Sequence, residues 1–152
     1  MSNKGYINDL SLNEKVMMAM VRLAEFFKKD SANIFKNYGL TFPQYNVLRV
    51  LESSKNHQNT ISNVGKIMLV SGANMTGIAK RLEKNGFLLR KSDPADERIT
   101  LLEITPKGRE RLTEIAREKD ANIERYLAHF SDDQKRELLS LLRTVIHKSE
   151  SK

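Results

Sequence analysis

Cysteine and tryptophan are absent from this 152-residue chain, proline occurs three times, and aromatic residues make up only 7%. Without cysteine there is no disulfide framework, no thiolate metal site, no thiol nucleophile and no cysteine-based redox switch. No run of about 18 apolar residues occurs, so no membrane-spanning helix is expected. The opening residues, MSNKGYINDLSLNEK, lack a basic stretch followed by an apolar core. A secretory leader is therefore not expected, and a cytoplasmic location is. His57, His129 and His147 share no metal-ligand spacing, and GxSxG, HExxH and a phosphate-cradling glycine loop are all missing. Neither an enzyme nor a metal- or cofactor-dependent protein is expected.

Positive charge is what the chain has in excess: 26 Lys and Arg against 19 Asp and Glu, a net +7. The excess is concentrated. Residues 64–92 hold Lys66, Lys80, Arg81, Lys84, Arg90 and Lys91, with Glu83 the only acid. A local excess of this kind reads either as a solubilising patch or as a phosphate footprint. The length suits one domain of about 100–200 residues with its own core.

Caps and periodicity make the chain mostly helical. Ser11 to Glu14 forms a capping-box pattern, and Val16, Met17, Met20, Val21, Ala24 and Phe27 then recur at helical spacing to about Asn37, before Tyr38-Gly39. Thr41 to Gln44 is a second box, with Pro43 in the first turn. Ser53 to Asn59 is polar and aperiodic, which predicts a loop. Thr60 or Ser62 caps a short helix. Leu69-Val70 makes a tight junction, and Ser71 caps a helix with Met75, Ile78, Ala79 and Leu82 on one face. Asn85-Gly86 ends it. Phe87–Lys91 and Ile99–Ile104 read as strands around a hairpin tip, Ser92–Arg98. Thr105-Pro106 restarts a helix that is expected to continue to Phe130, and Ser131 to Gln134 boxes the last one, with a frayed tail from Ser149. Short helix, turn, helix and hairpin in this order is a winged helix-turn-helix, a mainly α (α+β) fold.

The ordered set Leu82-Glu-Lys-x-Gly86-Phe-x-x-Arg90, Asp93-Pro-x-Asp96-x-Arg98 and Ile104-Thr105-x-x-Gly108 resembles the multiple antibiotic resistance regulator (MarR) family of bacterial transcription factors. The resemblance implies a winged core over about 41–108, with residues 8–37 and 105–148 as dimerisation helices in one 1–152 domain. It implies a homodimer on double-stranded DNA, acting as a repressor. Two departures stand out. Glu97 occupies a place where the family often has arginine, and Leu69 one where glycine is common in the turn.

With Met75, Ile78, Ala79 and Leu82 facing inward, Ala73, Asn74, Gly77, Lys80, Arg81 and Lys84 point outward at 100° per residue. That face suits a major groove. Ser71 and the free N–H groups behind it suit a phosphate, Asn74 an adenine, Arg81 a guanine, and Thr76 a thymine methyl or phosphate. Small Ala73 and Gly77 permit close approach, while Lys80 and Lys84 suit phosphates. Arg98 resembles the wing-tip arginine that enters a minor groove, with Asp96 on the same side to orient it. The resemblance also implies a small aromatic or amphipathic effector. Met17 and Met20 are flexible enough for a permissive pocket and Phe27, Tyr38 and Tyr45 could wall it; ordinary core and dimer packing is the other reading of these five. A winged helix kept for protein contact, or a non-specific architectural DNA binder, are the alternative functions.

Overall fold

The computed structural model describes residue 5 and residues 7–151. Two compact units divide the chain, residues 1–115 and 116–152. Six α-helices and three short strands follow in the order α1 (Leu12–Lys36), α2 (Phe42–Glu52), β1 (Gln58–Thr60), α3 (Ile61–Met68), α4 (Gly72–Lys84), β2 (Leu88–Ser92), β3 (Thr100–Ile104), α5 (Pro106–Leu127) and α6 (Asp132–Glu150). Among the described residues no helix is long and apolar enough to cross a membrane.

The helix starts follow from hydroxyl caps that satisfy otherwise orphaned N–H groups. Ser11 Oγ accepts from Glu14 N at 3.2 Å, and Thr60 Oγ1 accepts from Asn63 N at 3.1 Å. At α2 the box is reciprocal. Gln44 N donates to Thr41 Oγ1 at 3.3 Å, and Thr41 N donates to Gln44 Oε1 at 3.0 Å. The ends are as legible: Gly86 follows α4 at φ +79°, and Phe87 N closes back on Leu82 O at 2.9 Å.

The core of the first unit gathers Val47, Leu48 and Leu51 from α2, Val64 from α3, Met75, Ala79 and Leu82 from α4, Leu88 and Leu102 from the strands, and Ile115 from α5, all with 1% exposure or less. Burying each large side chain is worth about 1.5–3 kcal/mol, so α4 is clamped by its inner face while its outer face stays open. The helices pack closely because small residues allow it. A Cβ on Gly65 would stand 3.0 Å from Met75 Cγ, and one on Gly108 would stand 2.3 Å from Phe87 O and 2.8 Å from Ile104 Cγ1. Thr105 completes that joint, donating to Gly86 O at 2.6 Å and accepting from Gly108 N at 3.1 Å.

In several places the chain departs from the sequence reading or adds to it. The 53–59 loop holds a short 3-10 turn (Lys55–His57) and then β1, which pairs antiparallel with β3 in the order β1-β3-β2. Asn56 and His57 make that turn at φ +56° and +58° without a glycine. Leu69 closes α3 at φ +54°, a conformation that costs a non-glycine residue about 1 kcal/mol. The helix expected to reach Phe130 stops at Leu127.

In the second unit, Asn122 is buried and accepts from Arg125 Nη2 at 2.8 Å. The Ser131–Gln134 box opens α6. This helix runs to Glu150, past the expected fraying point at Ser149, with Ser149 Oγ donating to Val145 O and Ser151 Oγ to His147 O, both at 2.9 Å. Lys152 lies outside the described residues.

Candidate nucleic-acid interface

The buried stripe of α4 determines what the helix presents outward. Ala73, Asn74, Thr76, Lys80, Arg81 and Lys84 are exposed, while Gly77 and Ile78 are half-buried. A Cβ built on Gly77 meets nothing within 4 Å, so the outer surface at that point is bare backbone with open space above it. Ser71 Oγ caps α4 by accepting from Asn74 N at 3.4 Å, which leaves its hydroxyl proton to donate. Gly72 and Ala73 sit in the first turn, where backbone N–H groups lack intrahelical acceptors and attract anions. Thr76 Oγ1 donates back to Gly72 O at 3.0 Å, so its outward contribution is the methyl group and the oxygen lone pairs.

Charge on this surface is sorted by ion pairing. Arg90 donates from Nε and Nη2 to Glu83 Oε1 at 3.0 and 2.9 Å, and from its backbone N to Oε2 at 3.1 Å. The Arg90 side chain holds the Glu83 carboxyl below its usual range, with the Arg90 backbone N–H adding to it. Lys91 pairs with Glu103 across the hairpin. Arg90 and Lys91, two of the six cations of the basic stretch, therefore fasten the wing to α4 and to itself. Lys66, Lys80, Arg81 and Lys84 form no ion pair with any described residue, and these four are the charge left for an external anion.

The wing tip is a folded turn. Asp93 N donates to Ile99 O at 2.9 Å and Ile99 N to Asp96 O at 3.0 Å, while Asp93 Oδ1 accepts from Ala95 N at 2.8 Å. Asp96 takes three hydrogen bonds from Arg98: the backbone N and Nε on Oδ1, and Nη2 on Oδ2, each at 3.0 Å. The Arg98 side chain remains 90% exposed. Its side-chain bonds, then its backbone bond, lower the Asp96 pKa, and Asp96 in return raises that of Arg98. Glu97 is exposed beside it.

Behind the interface, Phe87 is flanked by two cations, Lys107 Nζ 5.1 Å and Arg111 Cζ 5.0 Å from its ring centre. Lys107 donates to Asn85 O at 2.8 Å, Arg111 to Tyr38 O, and Arg109 Nε to Glu52 Oε2 at 3.0 Å. These contacts join the end of α4 to the start of α5, and α5 to α2 and the end of α1. The sequence reading missed them because each partner lies far away along the chain.

The five residues expected around an effector are not equivalent. Tyr45 is buried and stacks on Phe35 with ring centroids 4.0 Å apart, so it serves the core. Tyr38 packs against that core, and Phe27 meets Phe42 edge-on at 6.2 Å. Met20 is half-buried and Met17 half-exposed on α1. An open hollow of about 650 Å³ between α1 and α2 is lined by Glu25, Phe26, Lys28, Lys29, Ala32, Phe42 and Pro43. Among the described residues, no group of three or more His, Asp or Glu side chains is placed to hold a metal.

A short helix, a tight turn, a second helix with an open basic face, and a hairpin wing define a winged helix-turn-helix. The family model described as transcriptional regulator SarA/Rot matches residues 29–115. The HTH-type transcriptional regulator YkoM of Bacillus subtilis is 30% identical over 141 residues, which span 88% of this chain and 90% of that one. The chain belongs to the SarA/Rot family of transcriptional regulators, winged-helix proteins of the MarR type. Solved MarR structures share its fold. One from Streptomyces coelicolor in complex with DNA has a TM-score of 0.84 at 20% identity, over 95% of this chain and 92% of that one. CouR from Rhodococcus jostii, bound to p-coumaroyl-CoA, has a TM-score of 0.79 at 22% identity, over 90% and 95%.

Proposed function

We propose that this regulator is a homodimeric, sequence-specific DNA-binding repressor whose occupancy of DNA is set by a small aromatic or amphipathic effector. One observation carries the DNA-binding part: Lys80, Arg81 and Lys84 stand unpaired on the same helix as exposed Asn74, while Arg90 and Lys91 are neutralised by Glu83 and Glu103. The fold thus segregates its structural cations from those that can neutralise phosphates. In this reading α4 enters a major groove, with Arg81 against guanine and Asn74 against adenine. Ser71, Lys80 and Lys84 hold phosphates, and Thr76 meets a thymine methyl or a phosphate. Ala73 and Gly77 let the helix sit close, and Arg98, oriented by Asp96, enters the adjacent minor groove.

Two further observations support the dimer and the effector. Leu12, Val16, Val21 and Phe26 on α1 and Leu138, Leu141, Val145 and Ile146 on α6 are large apolar residues left 39–76% exposed. Uncovered apolar surface of this extent on a regular helix suits association; in this reading α1, α5 and α6 each contribute to the dimer, with residues 41–108 as the DNA-binding core. The α1–α2 hollow joins aromatic walls, Phe26 and Phe42, to two lysines, Lys28 and Lys29, against one acid, Glu25, a net positive lining that supports an aromatic anion as the effector. CouR, whose fold this chain shares, holds an aromatic acyl thioester.

Selection from a pool of random duplexes tests the proposal. A two-fold dimer predicts an enriched pseudo-palindrome with half-sites about one helical turn apart, and Arg81→Ala relaxing one position in each half. A pool that stays random after selection would leave only non-specific DNA binding.

A further inference from the structure

We propose that Leu69, at the turn between α3 and α4, is an apolar contact to the DNA backbone, its side chain packing on deoxyribose where the strand passes the start of α4. The inference rests on the DNA-binding reading above and adds a contact that carries no charge.

Two properties coincide at Leu69. Its φ of +54° is one that favours glycine, and the residue is 84% exposed, more than any other large apolar residue among those described. A single exposed leucine is ordinary on a protein surface. An exposed leucine held in a left-handed conformation is different, because the fold gains nothing visible from it. The turn is closed by Val70 N to Gly65 O at 2.9 Å and Leu69 N to Lys66 O at 3.3 Å, bonds that glycine would make equally well.

Its location indicates what covers it. Leu69 lines an open hollow of about 540 Å³ between α3 and α4, with an apolar floor that includes Ile61, Val70 and Met75, and with Lys66 and Thr76 beside it. Gly72 and Thr76 belong both to this hollow and to the exposed first turns of α4, so a duplex seated on α4 covers the hollow as well. The chemistry also matches. A sugar-phosphate strand presents apolar sugar faces between anionic groups, and here an apolar residue shares one hollow with Lys66, which forms no ion pair with any described residue, and with Gly72 in the first turn of α4. An apolar protein segment would match the floor but not this flanking charge.

The test is an anisotropy titration of a fluorescein-labelled duplex of mixed sequence, about two helical turns long. The full chain is compared with Leu69→Gly, Leu69→Asn and Leu69→Met at two salt concentrations. Glycine and asparagine both accept the left-handed conformation, so cooperative melts are expected for both. The Gly and Asn variants are expected to bind about tenfold more weakly and the Met variant nearly as well as the parent. The slope of log K against log salt is expected to stay unchanged, because no charge is lost. Gly and Asn variants that bind like the parent, or a loss accompanied by a changed slope, overturn the contact. If both variants fail to fold, Leu69 is a structural residue and the proposal falls. If the parent itself ignores DNA at low salt, the DNA-binding reading fails first, and this inference with it.

Discussion

Arg98 reaches both carboxylate oxygens of Asp96, Nε to Oδ1 and Nη2 to Oδ2, at 3.0 Å each, although its side chain is 90% exposed. An exposed arginine ordinarily samples many rotamers. Here Asp96 holds the fork in the free chain, and Nη1 with one N–H of Nη2 remains for an external acceptor. Pre-ordering removes part of the entropic cost of inserting the side chain into a groove. The pair is therefore read as a positioning device at the wing tip.

Replacing Arg98 by alanine is expected to weaken binding to any duplex about tenfold and to flatten the salt dependence by about 0.9 in log–log slope. Melting temperature and sedimentation should match the parent. Asp96→Asn, which keeps the guanidinium but loosens it, is expected to lose less affinity and leave the slope intact. Parent-like binding by Arg98→Ala would remove the wing from the interface.

The same pair makes a pH prediction. Hydrogen bonds from Arg98 lower the folded-state pKa of Asp96 below its unfolded value, so the unfolded chain binds the proton more readily. The stabilisation is complete above the unfolded value of about 3.9 and is lost as pH falls through the lower folded one. Wing geometry should thus be constant from pH 8 down to about 5. A carboxyl carbon titration by NMR should place the Asp96 midpoint below the ordinary range, and Arg98→Ala should move it up. A midpoint indifferent to Arg98 would show that the pair does not persist in solution.

Gly108 has no room for a side chain: a Cβ would lie 2.3 Å from Phe87 O. Gly108→Ala must part α5 from the end of α4, and we expect a loss of roughly 1–3 kcal/mol, read as a lower urea midpoint. An unchanged midpoint would mean that this joint yields freely.

Gly77 is the opposite case, a glycine inside a helix with open space around its missing side chain. Gly77→Ala is expected to stabilise the protein by up to about 1 kcal/mol. If α4 lies in a groove, the added methyl should also weaken DNA binding. A variant that is more stable and binds DNA equally well would show that α4 does not approach DNA closely at residue 77.

Much of this architecture is legible locally. Hydroxyl caps at Ser11, Thr41, Thr60, Ser71 and Ser131 mark helix starts because each acts on a backbone N–H three residues away. Long-range pairing is not legible in that way. β1 is three polar residues whose strand state comes from pairing Asn59 opposite Leu102, so no periodicity announces it. Arg90 and Lys91 look like members of one basic patch until Glu83 and Glu103 are brought to them by the wing. Tyr45 reads as a pocket wall or as core until Phe35 stacks on it. The outward face of α4 was readable because helical geometry alone sets it, once Met75, Ala79 and Leu82 are assigned to the core.

The account rests on α4 and the wing reading DNA, and one titration addresses that directly. Fluorescence anisotropy would compare duplex DNA from upstream of the protein's own coding sequence with a scrambled duplex of equal length, at about 0.15 M salt, where non-specific phosphate binding is already weakened. The account predicts tighter binding to the upstream duplex, with Arg81→Ala narrowing the difference and Arg98→Ala weakening both. No binding to either duplex, at this salt or at tenfold lower salt, would contradict it.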